Sequence, residues 1–173
     1  GNIEPRKNVL ELAQAFNSMK ESSSIDKDVH LLIVGQKGWF YKDIFDGIDA
    51  LPCREQIRFV GPVYGEDLAG VYQIARVMAY PSMFEGFGYP VLEAMRQGTP
   101  VLTSGISSMP EAGGDAAHYV NPESLDDIAS GLCRILNDES YRQELIEKGT
   151  RHAEGFTAEK MAKETMEVYR KLA

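Results

Sequence analysis

The sequence has 173 residues, 43% hydrophobic and 25% charged, with 18 Lys and Arg against 26 Asp and Glu for a formal net charge of -8. A chain of this size and make-up buries roughly 70% of its unfolded surface on folding, and its deficit of cations excludes a basic nucleic-acid-binding face. Cys53 and Cys133 lie 80 positions apart with no CxxC or Cys/His spacing, so they read as two buried thiols of a reducing compartment and not as a disulfide framework or zinc site.

Along the chain, two kinds of apolar pattern alternate. Gly1, Asn2, Ile3, Glu4 and Pro5 read as the exit of a strand whose earlier residues lie outside this sequence, so the chain reads as a piece of something longer. Val9, Leu10, Leu12, Ala13, Ala15, Phe16 and Met19 recur at helical spacing, with Asn8 placed as N-cap. Residues 29–34 form a continuous apolar run, the mark of a parallel strand buried on both faces. A helix is predicted over 40–51, a strand over 57–60 ahead of Gly61 and Pro62, and a helix over 66–74. Residues 76–80 read as a strand closed by Pro81. A glycine-punctuated loop over 84–89 follows, then a helix over 90–97 with Pro90 at its first position and Gly98 just past its end. Residues 100–103 and 117–120 are further strands, and 124–137, 139–153 and 157–172 read as three helices, the last opened by Thr157. Alternation at this pace predicts a doubly wound α/β fold on a parallel sheet, with ligands outside the carboxyl ends of the strands. Nothing in the chain reads as a leader or as an apolar run of 18 residues, so the expected location is cytoplasmic.

The segment over 81–95 carries the strongest chemical signal. Gly86 and Gly88 follow a strand and let backbone approach a ligand, while the next helix points the positive end of its dipole into the same space. That end suits a phosphate. The carboxylates of Glu85 and Glu93, eight residues apart, suit hydrogen bonds from sugar hydroxyls. Residues 61–120 contain six acids but only two bases, Arg76 and Arg96, so cations for a phosphate must come from elsewhere. Arg6 and Lys7, just ahead of a helix start at Asn8, are the candidates. The plainer alternatives are a glycine-rich turn with Glu93 as a helix-dipole charge, and a solvated Arg-Lys pair.

The run from Glu85 to Met95, followed by Gly98, Thr99, Pro100 and Val101, resembles the E-x7-E segment of retaining GT-B glycosyltransferases of the glycogen-synthase and mannosyltransferase type, the group 1 glycosyltransferase family. Glu4 to Asn8, Phe59 to Val63 and Met109 to Ala117 resemble the same family, in order and at its spacing, across the whole chain. The resemblance implies a Rossmann-like, doubly wound parallel sheet, the C-terminal half of a GT-B fold, with residues 1–173 as a single nucleotide-sugar-binding domain. It implies the transfer of a hexosyl group, mannosyl being one candidate, from a GDP- or UDP-linked donor to a saccharide or lipid-linked acceptor, with retention. The acceptor site would lie in an N-terminal domain of the same enzyme, and the full-length enzyme could work at the cytoplasmic membrane surface.

Carried residue by residue, the resemblance gives Glu93 the donor ribose and Glu85 a hydroxyl of the transferred sugar. Gly86, Phe87, Gly88 and Tyr89 border the sugar and diphosphate, and Lys7 and Arg6 neutralise the diphosphate. Arg58, Val60 and Gly61 fall where the base packs, or simply end a strand. Tyr64 either stacks on a base or packs under the next helix. Asn2 stands where many family members carry Arg, which leaves open whether Arg6 assumes that task or points away.

His30 and His118 sit inside predicted strands as structural residues, and His152 on a solvated helix face. The spacing of these three, none paired as metal ligands, predicts no metal cofactor. Ser104, Ser107 and Ser108 lack a G-x-S-x-G elbow, which argues against a hydrolase. Pro110 and Glu111 shape a loop near the donor. The last helix, with Met161, Met166, Val168 and Leu172, is expected to pack against the missing domain. Two other readings share this architecture: a sugar-nucleotide epimerase, which lacks a convincing base here, and a non-catalytic flavodoxin-like interaction domain.

Overall fold

The structure is a computed structural model that describes residues 1–172. Seven strands, β1 (Asn2–Ile3), β2 (Leu31–Val34), β3 (Gln36–Lys37), β4 (Ile57–Gly61), β5 (Met78–Tyr80), β6 (Val101–Ser104) and β7 (Ala117–Val120), pair in parallel throughout. Eight helices alternate with them: α1 (Val9–Glu21), α2 (Tyr41–Asp49), α3 (Gly65–Ile74), α4 (Tyr89–Arg96), α5 (Met109–Gly113), α6 (Leu125–Asn137), α7 (Glu139–Glu154) and α8 (Ala158–Leu172). The α/β class and parallel pairing are those expected. The ladder, however, divides into three parts, β1 with β3, β2 with β4, and β5-β6-β7. Between β2 and β5 runs a largely apolar trough of about 660 Å³.

The sheet is covered on both faces. All four residues of β6 are buried, and its side chains alternate between two cores as a pleated strand requires. Leu102 joins Ile33, Ile57, Phe16, Ile128 and Ile135 in the core beneath α1 and α6, whereas Val101 joins Val91, Met95, Met109 and Ala153 beneath α4, α5 and α7. Local chemistry sets the helix starts. The Ser124 hydroxyl accepts from Asp127 N, the Asp138 carboxylate from Tyr141 N, and the Thr157 hydroxyl from Lys160 N.

Several expectations need correction. Asn8 precedes α1 in a left-handed conformation (φ 59°) without capping it. Its buried side chain donates instead to Pro122 O at 2.7 Å. The segment 109–113 is a helix where a loop was expected. His30 lies outside β2 and is exposed, with Nδ1 against Asp28 O. His152 is half-buried, not solvated, and its Nε2 lies 3.0 Å from Ala112 O. Cys53 is buried, but Cys133 is only partly so.

The pairing of β1 with β3 fixes the start of the chain. Gln36 N donates to Gly1 O and Gly38 N to Ile3 O. The next residues, Trp39 and Phe40, turn outward, Phe40 with a left-handed φ of 54°. None of the helices described is long and apolar enough to cross a membrane.

Candidate functional site

The cation pair is held by a 3-10 turn over Pro5–Lys7, where Pro5 pre-sets the backbone. That turn is fixed at both ends. Arg6 O accepts from Met83 N at 2.8 Å, and Asn8 reaches Pro122 as described. The turn therefore sits against the exit of β5, where Pro81 and Ser82 lead to Glu85.

Glu85 is 9% exposed, an environment in which a lone carboxylate would be costly. It is not alone. Lys7 Nζ lies 2.5 Å from Oε1, Arg6 Nη1 lies 2.9 Å from Oε2, and the Tyr80 hydroxyl donates to Oε1 at 2.8 Å. Lys7 also donates to the Tyr80 oxygen and lies over its ring. Burial acts to raise the Glu85 pKa, but the hydrogen bonds from Lys7, Tyr80 and Arg6 outweigh it and hold the carboxyl below its ordinary value. Burial, with Glu85 beside it, pushes the Tyr80 phenol up, so it stays protonated and donates. Arg6 does not point away from this cluster. Its guanidinium points inward, donates to Phe84 O at 3.0 Å and bridges Glu85 to Glu4.

Ser107 and Ser108 hold the Glu85 backbone, both hydroxyls donating to Glu85 O at 2.9 Å. Gly88 then precedes α4 at φ 114°, a region that L side chains rarely adopt. A Cβ there would lie 2.6 Å from Met109 Cε and 3.1 Å from Ala112 Cβ, so Gly88 is needed to seat α5 against α4. Gly86 faces open space. No side chain caps α4, which leaves the first N–H groups of the helix, its positive end, without a side-chain partner. Glu93, one turn further in, accepts from the Tyr72 hydroxyl of α3 at 3.0 Å.

The trough beside β5 brings together Lys7, Tyr64, Tyr72, Tyr80, Pro90 and Glu93. It is not lined by Arg6, Glu85 or residues 86–89, nor by Arg58, Val60 and Gly61, which lie along β4. Arg58 and Val60 are exposed and Gly61 ends the strand at φ 84°. Tyr64 is 71% exposed and so is not packed under α3. Phe87 is half-buried against the core under α4, 5.2 Å from the ring of exposed Tyr89. Glu111 is exposed on α5. Among the described residues, no three His, Cys, Asp or Glu side chains gather as a metal site.

Tyr72, Tyr80, Ser107 and Ser108 were not found as site residues from sequence. They reach Glu85 and Glu93 across separations of 5 to 23 residues, and no local pattern marks such contacts.

Comparison with known proteins adds the following. Residues 1–152 match the family described as Glycosyl transferases group 1. The O-antigen chain mannosyltransferase B of Escherichia coli is 34% identical over 172 residues, covering 99% of this chain and 45% of that protein. Sucrose-phosphate synthase from Thermosynechococcus elongatus superposes with a TM-score of 0.81 at 27% identity, over 98% of this chain and 43% of the other. Anabaena Alr3699/HepE, solved in complex with UDP and glucose, does so with a TM-score of 0.85 at 18% identity, over 99% of this chain and 47% of the other, a likeness of fold. The chain thus spans less than half the length of the relatives it matches.

Proposed function

Given that the chain belongs to the group 1 glycosyl transferases, as a C-terminal domain of Rossmann-like GT-B type, we propose that it binds the donor, a nucleoside diphosphate sugar, for hexosyl transfer. The observation that carries this reading is the convergence of Arg6, Lys7 and Tyr80 on Glu85 beside the uncapped start of α4. In this reading the donor diphosphate takes the place of Glu85 as partner of Arg6 and Lys7, and the α4 dipole adds to the neutralisation. Glu85, left with Tyr80, accepts from a hydroxyl of the transferred sugar, and Glu93 accepts from the ribose. Backbone at Gly86, Phe87, Gly88 and Tyr89 borders the sugar and diphosphate, while Tyr64, beyond Arg58, Val60 and Gly61, stacks on the base.

The reaction we assign moves the hexosyl group from the diphosphate to a hydroxyl of a saccharide or lipid-linked acceptor, with retention of configuration and without a metal cofactor. The mannosyltransferase relatives favour mannose. The leaving diphosphate gains charge as the glycosidic bond breaks. Preorganised cations stabilise that state, each such contact being worth on the order of 10² to 10³ in rate. The acceptor site is assigned to an N-terminal domain of a longer enzyme, so this chain alone binds nucleotide and transfers little.

Titration with GDP and UDP by calorimetry tests the reading. Glu93→Ala is expected to lower affinity for the preferred nucleotide about tenfold or more with the far-ultraviolet spectrum unchanged. An equal affinity in both forms, or no binding by either, refutes donor binding.

A further inference from the structure

We propose that Tyr72 is a positioning residue for Glu93, holding one carboxylate oxygen so that the other is presented to the ribose diol of the donor. The inference rests on the donor-binding reading above and deepens it. Glu85 receives three side-chain donors, but the only hydrogen bond found for the Glu93 carboxylate among the described residues comes from the Tyr72 hydroxyl to Oε2, at 3.0 Å. Glu93 is exposed on α4, and a free glutamate there would sample several rotamers. Its orientation therefore depends on a single phenol.

That phenol is itself held in place. The Tyr72 ring packs against the core under α4. Its backbone oxygen accepts from Thr99 Oγ1 at 2.7 Å and from Ala75 N at 3.0 Å, which locks the end of α3 to the loop after α4. Burial, and then the adjacent Glu93 charge, raise the phenol pKa, so it donates across the neutral range. With Oε2 occupied, Oε1 keeps its lone pairs for a ligand. A carboxylate pre-set in this way spends less rotamer freedom on binding.

The test compares GDP and UDP with their 2′,3′-dideoxy counterparts by calorimetry on the wild type, Tyr72→Phe and Tyr72→Met. The wild type is expected to prefer the ribose form. Tyr72→Phe should shrink that preference about fivefold, the loss of one hydrogen bond, while leaving affinity for the dideoxy form within about twofold. Tyr72→Met, which replaces the ring, should shrink it equally if the hydroxyl is the cause. Adding Tyr72→Phe to Glu93→Ala, which leaves no side chain for the phenol to hold, should cost nothing further. A preference that survives in both variants, a loss that falls equally on the dideoxy form, or additive losses in the double variant overturns the role of Tyr72. A wild type that binds no nucleotide overturns the donor-binding reading itself.

Discussion

Replacing Glu85 by Gln should destabilise the free protein and at the same time tighten its grip on a diphosphate. In the free structure this carboxylate neutralises both Arg6 and Lys7. The Gln side chain keeps one oxygen to accept with but turns an N–H donor toward a cation. Stripping one partner from a fully buried ion pair costs about 3–5 kcal/mol. Here the Arg6 side chain is 42% exposed and can turn to water, and Lys7 keeps the Tyr80 oxygen. A cost of about 2 kcal/mol is therefore expected. For a chain of this length, that lowers the melting temperature by roughly 4–8 °C. The binding effect has the opposite sign, because GDP no longer competes with a carboxylate for Lys7. About tenfold tighter GDP is the expected gain, roughly 1.4 kcal/mol. Thermal melts with and without GDP, together with calorimetry at fixed ionic strength, read both effects. An unchanged melting temperature, or weaker GDP binding, would show that Glu85 does not hold the cations in the free state.

Two further outcomes follow from the geometry. Gly88→Ala must place a Cβ against Met109 and Ala112 in a backbone conformation that alanine resists. A loss of about 2 kcal/mol is expected in a chemical melt, and an unaltered midpoint would refute the packing argument. His118, whose Nδ1 lies 2.8 Å from the Tyr141 hydroxyl, has its pKa lowered by burial and by Arg134. The unfolded chain therefore takes up that proton first as pH falls. Stability should be complete above about 6.5 and decline as pH drops from there through the lowered native value. His118→Asn should flatten that part of the stability profile, and an unchanged slope would exclude His118 as its source.

The periodic parts of the fold were legible in the sequence because burial imposes the pattern. The runs at 31–34, 57–61 and 101–104, and the helices from 125 onward, lie within a few residues of where their apolar spacing placed them. Short elements left no such trace. β3 has two residues, and α5 is five residues of a Pro- and Gly-containing stretch that reads as a loop. The acids and cations of the site stood out because charge beside a glycine loop is conspicuous. Which side chains hold them did not, since Tyr72 and Tyr80 resemble any half-buried aromatic until the fold brings α3 and β5 against α4. Arg6 illustrates the same limit. Nothing local distinguished an inward guanidinium from an outward one, and its contacts with Phe84 O and Glu85, distant in sequence, set its direction.

Trp39 is the only tryptophan in the chain, and it is 77% exposed. It directly follows Gly38, whose amide is bonded to Ile3 O, three residues ahead of Arg6. Its indole emission, red-shifted as in water and open to collisional quenchers, thus originates from a loop laced to the strand that leads into both cations. Movement of that strand becomes readable by unlabelled fluorescence, without a background from any second indole in the chain.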